Sequence, residues 1–378
     1  MQYRKFGKLD WKASALGFGA MRLPVINDDH SKVDEPEAIR MIRYAIDHGV
    51  NYIDSAYGYH GGNSEVVVGK ALKDGYREKV RIATKMHCQM YNSSEDFDRL
   101  LNEQLKRLQS GRIDFYLLHG LNKVDWLKVR NLGIIKWADK AIADGRIGYL
   151  GFSFHDSYEL FQAIIDFYDN WTMCQIQYNY MDEQTQAGTR GLEYAHKKGL
   201  AVVVMEPIRA GRLARPTKKI AEMWANAPVQ RTPAEWALRW VWNHPEVTVA
   251  LSGMSNMQQV IENISSAQNS QPHNLTADEL ALIGQVRDAY ISQGVSCTAC
   301  QYCMPCPNGV EIPRIFNLYN EAMIYGNTDR PRREYAARFK EEQRADKCIK
   351  CEQCLEKCPQ NLPIPELLEK AHAFLTEK

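Results

Sequence analysis

Short apolar segments alternate eight times with amphipathic segments between residues 15 and 290, and this repeat restricts the possible folds more than any other feature. Each apolar segment is rich in β-branched or aromatic residues, as expected for strands buried on both faces of a sheet. Eight successive strand–helix units predict a parallel sheet, and eight is the number that closes into a (β/α)8 TIM barrel of α/β class. The predicted strands are 15–21, 50–54, 80–85, 114–119, 147–153, 174–179, 201–206 and 247–252.

Helical segments lie between these strands. The clearest start is at Thr232, an expected N-cap that is followed by Pro233 and, three residues after the cap, by Glu235 in a capping box. Other predicted helices are 35–49 and 95–111. The alternative parallel fold, a doubly wound dinucleotide-binding sheet, would carry the motif G-x-G-x-x-G after a strand. The nearest string, GFGAMR, has Arg22 in the third glycine position, which disfavours that fold.

The ten cysteines are unevenly distributed. Cys88 and Cys174 are isolated and are expected to be buried thiols, whereas the other eight lie between Cys297 and Cys358. In a reducing cytosol, clustered thiols indicate metal rather than disulfides. The two runs consist of Cys297, Cys300, Cys303 and Cys306-Pro307, then Cys348, Cys351, Cys354 and Cys358-Pro359.

The second cysteine run has the spacing of bacterial ferredoxins, which bind two [4Fe–4S] clusters and exchange the fourth ligand between runs. By that resemblance, one cluster takes Cys297, Cys300, Cys303 and Cys358, and the other takes Cys348, Cys351, Cys354 and Cys306. The first run departs from the pattern, since two residues instead of three separate its last two cysteines. Structural zinc is the alternative occupant, because four-cysteine zinc sites also use C-x2-C pairs.

Composition changes after residue 290, so two domains are expected: a barrel over 1–290 and a small α-rich ferredoxin-like domain over 291–378, with a charged helix near 334–347. The net charge of +1 gives no reason to expect nucleic-acid binding. The sequence has no long apolar stretch and no signal-peptide core near residue 1, so a soluble cytoplasmic protein without membrane segments is expected.

Polar residues stand at three successive strand ends, where barrels carry their chemistry. These are Asp54, Lys85 and His119, and Tyr59 lies on the loop after the second strand. Lys85 is expected to lower the pKa of the tyrosine, and Asp54 to pair with Lys85. Such a phenol can give a proton to a carbonyl oxygen. The residues alone leave Tyr57 as a rival proton donor.

Residues 1–290 resemble the aldo/keto reductase family. The resemblance is carried by NYIDSAYGYHGGNSE (51–65), IATK (82–85), IDFYLLH (113–119), GFS (151–153), QIQYN (175–179), MEPIRAGRL (205–213) and SGMSNMQQVIENI (252–264). It implies reversible NAD(P)H-dependent reduction of aldehydes and ketones by direct hydride transfer, with a tetrad of Asp54, Tyr59, Lys85 and His119. The family spacing of five residues after the aspartate selects Tyr59 over Tyr57.

The resemblance also implies cofactor contacts, but these residues match the family pattern less completely than the tetrad does. Ser153 and Gln175 match residues that hold the nicotinamide carboxamide, and Met205 replaces a stacking aromatic residue. The cationic residues that grip the 2′-phosphate in many members are replaced by Gly253 and Gln259, so NADP(H) is expected only slightly ahead of NAD(H). Arg209 and Arg212 are candidate replacements. The complete expected set is Gly19, Met21, Arg22, Ser153, Gln175, Met205, Pro207, Arg209, Gly211, Leu213, Gly253, Met254, Ser255, Asn256, Gln259 and Asn263.

The two halves handle electrons differently, because nicotinamide gives two electrons as a hydride whereas each cluster moves one electron at a time. A flavin can link the two processes, but the sequence reveals no flavin site. Three functions therefore remain open. The barrel reduces a small carbonyl substrate while the clusters are structural or sensory; the clusters exchange electrons with a ferredoxin-like partner; or the barrel only binds nucleotide in a regulatory protein. The intact Asp–Tyr–Lys–His set argues against the third. A monomer or weak dimer is expected.

Overall fold

The computed structural model describes residues 1–297 and 299–377. Eight parallel strands close into a barrel in which each strand pairs with the next one along the chain and the last pairs with the first. The predicted (β/α)8 barrel is therefore confirmed, and each of the eight predicted segments overlaps a barrel strand. In the described ranges, every helix is too short or too polar to span a bilayer.

The strands are short, and most residues of the barrel strands are buried. Two of them, β1 (Tyr3–Lys5) and β2 (Lys12–Ser14), form a separate antiparallel pair that the sequence did not predict. The barrel strands are β3 (Leu16–Gly19), β4 (Tyr52–Asp54), β5 (Arg81–His87), β6 (Ile113–Leu121), β7 (Ile147–Phe154), β8 (Met173–Gln177), β9 (Ala201–Met205) and β10 (Val247–Ser252).

Helices cover the barrel and build the C-terminal region. They are α1 (Glu35–Asp47), α2 (Asn63–Ala71), α3 (Glu95–Leu108), α4 (Lys123–Asn131), α5 (Ile134–Ala143), α6 (Tyr158–Phe167), α7 (Gly188–Lys197), α8 (Lys218–Ala225), α9 (Pro233–Trp242), α10 (Met257–Ser266), α11 (Ala277–Ile291), α12 (Ile312–Tyr325), α13 (Asp329–Arg338), α14 (Gln353–Lys357) and α15 (Ile364–Thr376). The helices predicted at 35–49, at 95–111 and after the cap Thr232 correspond to α1, α3 and α9.

Aromatic side chains close the N-terminal end of the barrel. Phe6, between β1 and β2, is fully buried and stacks on Phe115 with ring centroids 4.5 Å apart and on Tyr52 at 5.8 Å. Burying one large aromatic side chain stabilises a fold by roughly 1.5–3 kcal/mol. This packing fills the end of the barrel opposite the strand ends that carry the candidate catalytic residues.

The chain divides into two compact units. The first comprises Met1–Gly211 and Ala234–Thr276, and the second comprises Arg212–Pro233 and Ala277–Lys378. In the second unit α11 packs against both α8 and α12. These contacts group the last long helix of the barrel sequence, and the loop helix α8, with the cysteine-bearing region.

The cysteine-bearing region has its own apolar core. Ile315 and Phe316 of α12 pack with Leu368 and Ala371 of α15, and all four are completely buried. The predicted helix at 334–347 is only partly correct. Helix α13 ends at Arg338, and two single 3-10 turns, Glu341–Gln343 and Ala345–Lys347, follow it.

Candidate functional site

The parallel strands bring three of the predicted catalytic residues to one end of the barrel. Asp54 is the last residue of β4, Lys85 lies near the end of β5, and His119 lies near the end of β6. His87, two residues after Lys85 on β5, pairs with His119 of β6 in the ladder. Because side chains two residues apart in a strand share a face, Lys85 and His87 point to the same side of β5. Tyr59 begins a 3-10 turn directly after the β4 loop.

Lys85 is the centre of the site. Its ammonium group is 1% exposed and donates to Asp54 Oδ1 at 2.6 Å, to the carbonyl of Ser55 at 2.7 Å and to the Tyr59 hydroxyl at 3.3 Å. An ammonium group has three N–H donors, so these bonds use all of them. Tyr59 therefore accepts from Lys85, and its own O–H remains free to donate to a further oxygen.

The charges of this site differ in one respect from the expectation. Burial opposes the charge on Lys85, but Asp54 and Tyr59 outweigh it, and the pKa of Lys85 is raised. Burial also raises the pKa of Tyr59, and the opposing effect of Lys85 does not offset it. The prediction of a lowered tyrosine pKa is therefore wrong in its net direction, because burial of the hydroxyl outweighs the effect of the ammonium. Tyr59 stays protonated at neutral pH, as a proton donor must.

His119 is held as a neutral ring. Burial, with help from the charge on Lys85, lowers its pKa to about 2. The ring meets the edge of Tyr59 at a centroid distance of 5.9 Å and stacks on His87 at 4.0 Å. Its buried Nδ1 has no hydrogen-bond partner among the described residues. A neutral imidazole beside the phenol can donate a hydrogen bond without adding charge to the pocket.

Tyr57, the rival proton donor, points elsewhere. Its hydroxyl donates to the Glu103 carboxylate at 3.1 Å, and the Arg107 guanidinium lies 4.0 Å over its ring. Among the described residues, the Tyr57 hydroxyl makes no hydrogen bond to the Lys85 ammonium; only the Tyr57 backbone amide contacts that residue, by donating to its carbonyl at 3.0 Å. The geometry thus associates Tyr59, and not Tyr57, with the lysine.

The residues expected to hold a nicotinamide carboxamide lie on two neighbouring strands. Ser153 of β7 pairs with Gln175 of β8 in the ladder. Ser153 Oγ accepts from the Gly120 amide at 2.7 Å, so its O–H is left to donate. Gln175 Oε1 is buried without a hydrogen-bond partner among the described residues. A buried acceptor without a donor is costly, and a primary amide would satisfy it. The pair thus fits a carboxamide.

The two arginines proposed to compensate for missing 2′-phosphate contacts are already ion-paired. Arg209 lies 3.3 Å from Asp182, and Arg212 lies 2.5 Å from Glu321. Their charge is therefore partly neutralised. Arg22 has no ion-pair partner in the described ranges, and its side chain covers Gly253: a Cβ at that glycine would lie 2.9 Å from Arg22 Cγ.

The expected adenosine segment surrounds the start of α10. Asn256 caps this helix by accepting from the Gln259 amide at 3.0 Å, and Gln259 Oε1 accepts from the Ser255 amide at 2.8 Å. Asn263 donates to Ser252 Oγ at 2.9 Å. Met254 is completely buried. The remaining expected contacts lie at strand ends or on the loops after them, namely Gly19, Met21, Met205, Pro207 and Gly211, whereas Leu213 is buried in the second unit.

The eight clustered cysteines line two concavities in the second unit. The first, with an empty volume of ≈ 330 Å³ that includes its open mouth, is lined by Cys297, Cys300, Cys303 and Cys358. The second, of ≈ 440 Å³, is lined by Cys306, Cys348, Cys351 and Cys354 and also by Cys303. None of the eight is joined to another in a disulfide. The structure thus brings together both predicted ligand sets, including the exchange of the fourth cysteine.

The cysteine loops lie against the apolar core of α12 and α15 but are not closed by it. Cys300 and Cys351 are exposed, and the other six ligand candidates are partly buried. The exposed side chains of Tyr302 and Ile349 adjoin these loops, at 65% and 66% exposure. The isolated thiols behave differently: Cys88 and Cys174 are completely buried, and burial raises the pKa of Cys88 to about 12.

Comparison with known families agrees with both parts of the chain. Residues 15–288 match the aldo/keto reductase family. Residues 296–362 match the 4Fe-4S dicluster domain. The second match confirms the prediction of two [4Fe–4S] clusters in this part of the chain, and the zinc alternative is not supported.

Relatives of the barrel come from several organisms. A probable aldo-keto reductase of Glycine max is 26% identical over 69% of this chain and 83% of its own length. The L-galactose dehydrogenase of Arabidopsis thaliana is 26% identical over 70% of this chain and 88% of its own length.

Solved structures show the same fold. An aldo-keto reductase from Bacillus halodurans in its holo form is 28% identical with a TM-score of 0.62, covering 76% of this chain and 96% of its own. An aldo-keto reductase from Klebsiella pneumoniae, solved with NADPH, is 23% identical with a TM-score of 0.61 over the same shares of the two chains, which shows likeness of fold alone. The chain belongs to the aldo/keto reductase family, and its barrel is followed by a 4Fe-4S dicluster domain.

Proposed function

We propose that this protein reduces an aldehyde or ketone to an alcohol with NAD(P)H, using Tyr59 as the proton donor. The observation that carries this proposal is the hydrogen-bond arrangement of Lys85. The lysine fills its three donors with Asp54, the Ser55 carbonyl and the Tyr59 hydroxyl, so the phenol keeps a free O–H beside a fixed positive charge. A phenolate that forms there is stabilised at once by the ammonium.

The residues divide the work of the reaction. A bound reduced nicotinamide supplies the hydride, and Ser153 and Gln175 would hold its carboxamide. Tyr59 gives its proton to the carbonyl oxygen as the carbon gains the hydride. His119, neutral at physiological pH, donates a hydrogen bond that orients the same oxygen. Asp54 keeps Lys85 charged in its buried position.

We favour NADP(H) over NAD(H) as the cofactor. The N-terminus of α10 adjoins the expected adenosine segment, and the amide groups at the start of a helix attract phosphate. Arg22 contributes a cation beside Gly253 that no carboxylate among the described residues neutralises. Neither feature replaces a lysine and an arginine in direct contact with the 2′-phosphate, so the preference is expected to be modest.

The test is a steady-state assay of purified holoprotein with a panel of aldehydes and ketones, NADPH and NADH. We expect cofactor oxidation that depends on the added carbonyl compound. We expect this activity to be lost in Tyr59→Phe. A Tyr57→Phe variant is the matched control, because that phenol is bonded to Glu103 and not to the lysine. Full turnover by Tyr59→Phe would contradict the proposal.

A second candidate function is electron exchange between the clusters and a ferredoxin-like partner. It is favoured by the exposure of Cys300 and Cys351, one on each cluster loop, since short distances to the surface favour one-electron transfer to another protein. Bleaching of the cluster absorbance when NADPH is added without oxygen would support this function. An unchanged spectrum during carbonyl reduction would leave the clusters with a structural or sensory role.

A further inference from the structure

A buried carboxylate that the proposed reaction does not use lies behind the catalytic residues. Glu65, in the first turn of α2, has no exposed surface. Its Oε1 accepts from Thr84 Oγ1 at 2.5 Å and from Gln104 Nε2 at 2.7 Å, and its Oε2 lies 3.5 Å from Arg107 Nη1. Burial raises the pKa of Glu65 against these donors. A buried carboxyl group is costly to a fold unless its hydrogen bonds are satisfied.

The partners of Glu65 lead to the strand that carries Lys85. Thr84 is the residue before Lys85 on β5. Gln104 Nε2 lies within 3.3 Å of the Lys85 carbonyl as well as bonding Glu65. The same Lys85 carbonyl accepts from the Tyr57 amide at 3.0 Å. The Lys85 carbonyl is therefore held by the Gln104 side chain, which also bonds Glu65, and by the Tyr57 amide.

A second branch leads to the loop that carries Tyr59. Arg107 Nη1, the group nearest Glu65 Oε2, donates to the Tyr57 carbonyl at 3.0 Å, two residues before Tyr59. Arg107 is fixed in turn by Glu103 at 2.6 Å. Glu65 thus bonds donors of both branches, one toward Lys85 and one toward Tyr59.

We propose that Glu65 is a positioning residue that sets the contact between Lys85 and Tyr59. The inference rests on the proposed function, because the contact that Glu65 sets is that of Tyr59, the proposed proton donor. Glu65 touches neither substrate nor cofactor and acts through hydrogen bonds to two backbone segments. A neutral apolar residue would fill its place at less cost in desolvation, so the carboxylate contributes alignment of the two segments.

The expected consequence follows from the groups that face Tyr59. They are the ammonium of Lys85, the carboxylate of Asp54, the guanidinium of Arg22 and the edge of the neutral His119 ring. Of these, Lys85 opposes the rise in the tyrosine pKa most strongly. A longer contact between Lys85 and Tyr59 weakens that opposition. Proton release by Tyr59 then moves to higher pH, and kcat falls by about 10- to 100-fold, as expected for a small misplacement of catalytic groups.

Two variants weaken the network without a large cavity. In Glu65→Gln the amide cannot accept on both sides, so either Arg107 or the pair of Thr84 and Gln104 loses its acceptor. Gln104→Met is close to isosteric and removes the donor shared by Glu65 and the Lys85 carbonyl. The control is Asp114→Asn, because Asp114 binds Arg77 at 2.8 Å and the Ile82 amide at 2.9 Å at the opposite end of β5.

Each holoprotein variant is examined in three ways: kcat and KM against pH in both reaction directions, the thermal midpoint, and the 13Cζ resonance of Tyr59, identified by its absence in Tyr59→Phe. In both network variants the pH limb is expected to move to higher pH, kcat to fall with little change in the cofactor KM, and the Tyr59 resonance to shift. Asp114→Asn is expected to lower the thermal midpoint only.

The resonance separates this inference from the proposed function. A shift in both network variants and none in the control supports the positioning role, even if no carbonyl substrate is turned over. A Tyr59 resonance that stays at the wild-type position in folded Glu65→Gln and Gln104→Met overturns it. An equal shift in Asp114→Asn also overturns it, because the effect would then be general to β5. The proposed function fails separately, if wild-type protein does not consume NAD(P)H with any carbonyl.

Discussion

The barrel site and the cysteine loops differ in what holds their functional groups in place. At the barrel site, residues from separate strands are joined by hydrogen bonds to Lys85, which is 1% exposed, and the strands fix their spacing. In the second unit, the cysteines lie on loops around two concavities, and Cys300 and Cys351 are exposed. The fold therefore assembles the first site before any ligand binds, whereas cluster binding contributes to the folding of the second.

Of the variants that test this comparison, Tyr59→Phe is expected to have the largest effect on activity. The variant keeps the ring but removes the hydroxyl that accepts from Lys85, so kcat for carbonyl reduction should fall by about 10²- to 10⁴-fold. Iron content and the dissociation constant of NADPH should remain at their wild-type values. Steady-state kinetics, iron analysis and cofactor fluorescence measure the three quantities. Iron loss in this variant would mean that damage to the barrel site spreads to the clusters.

Lys85→Met tests whether the barrel site is preassembled by its ion pair. The change leaves Asp54, 2% exposed, without its partner at 2.6 Å. Removing one member of a buried pair typically costs about 3–5 kcal/mol, so urea unfolding of the barrel should shift by that amount. Adding Asp54→Asn to the same variant should recover much of the stability. A single variant as stable as wild type would show that the pair does not hold the site.

Cys351→Ala tests whether cluster binding holds the cysteine loops in place. This exposed thiol lines the second concavity with Cys306, Cys348 and Cys354, so its loss should release the second cluster. Iron should fall from about eight to about four atoms per chain or fewer, and the cysteine-bearing region should become sensitive to protease. Ala substitution of Cys174, a thiol buried in β8, is the control and should leave iron unchanged. Full iron in Cys351→Ala would refute the ligand assignment.

The smallest expected effect concerns acid. The pKa of His119 falls from 6.5 to about 2 in the folded protein. Below pH 6.5 the unfolded chain binds a proton that the folded site refuses, so the contribution of His119 to stability is present above pH 6.5 and declines as the pH falls toward 2. Between pH 7 and pH 5.5 the loss amounts to about 1 kcal/mol. His119→Gln should reduce this loss in urea unfolding at the two pH values, and an identical loss in both proteins would count against a neutral buried ring.

The sequence predicted the barrel strands well because buried parallel strands are apolar along their whole length. It did not predict the pair of β1 and β2, since three-residue strands are too short to show a pattern. The helix expected over 334–347 ends at Arg338, because charge and helix propensity do not reveal where a polar segment turns.

At the catalytic site, strand ends and spacing identified the residues that surround Lys85. They did not reveal how deeply Tyr59 is buried, and the expected direction of its pKa shift was wrong for that reason. Glu65 was not identified from the sequence because a glutamate in the first turn of a helix is usually an exposed charge. Its role depends on Gln104 and Arg107, which lie about 40 residues away and meet it only in the folded chain.

The most direct test of the central claim uses NADPH that carries deuterium at both C4 positions of the nicotinamide. Holoprotein prepared without oxygen is mixed with this cofactor and an aldehyde or ketone that it reduces in the panel, while the cluster absorbance is recorded and the alcohol product is analysed by mass spectrometry. Direct hydride transfer predicts one deuterium on the carbinol carbon, a hydroxyl proton from solvent, and clusters that stay oxidised during turnover. Alcohol without deuterium, formed while the clusters bleach, would contradict the account and place the clusters on the path of the electrons.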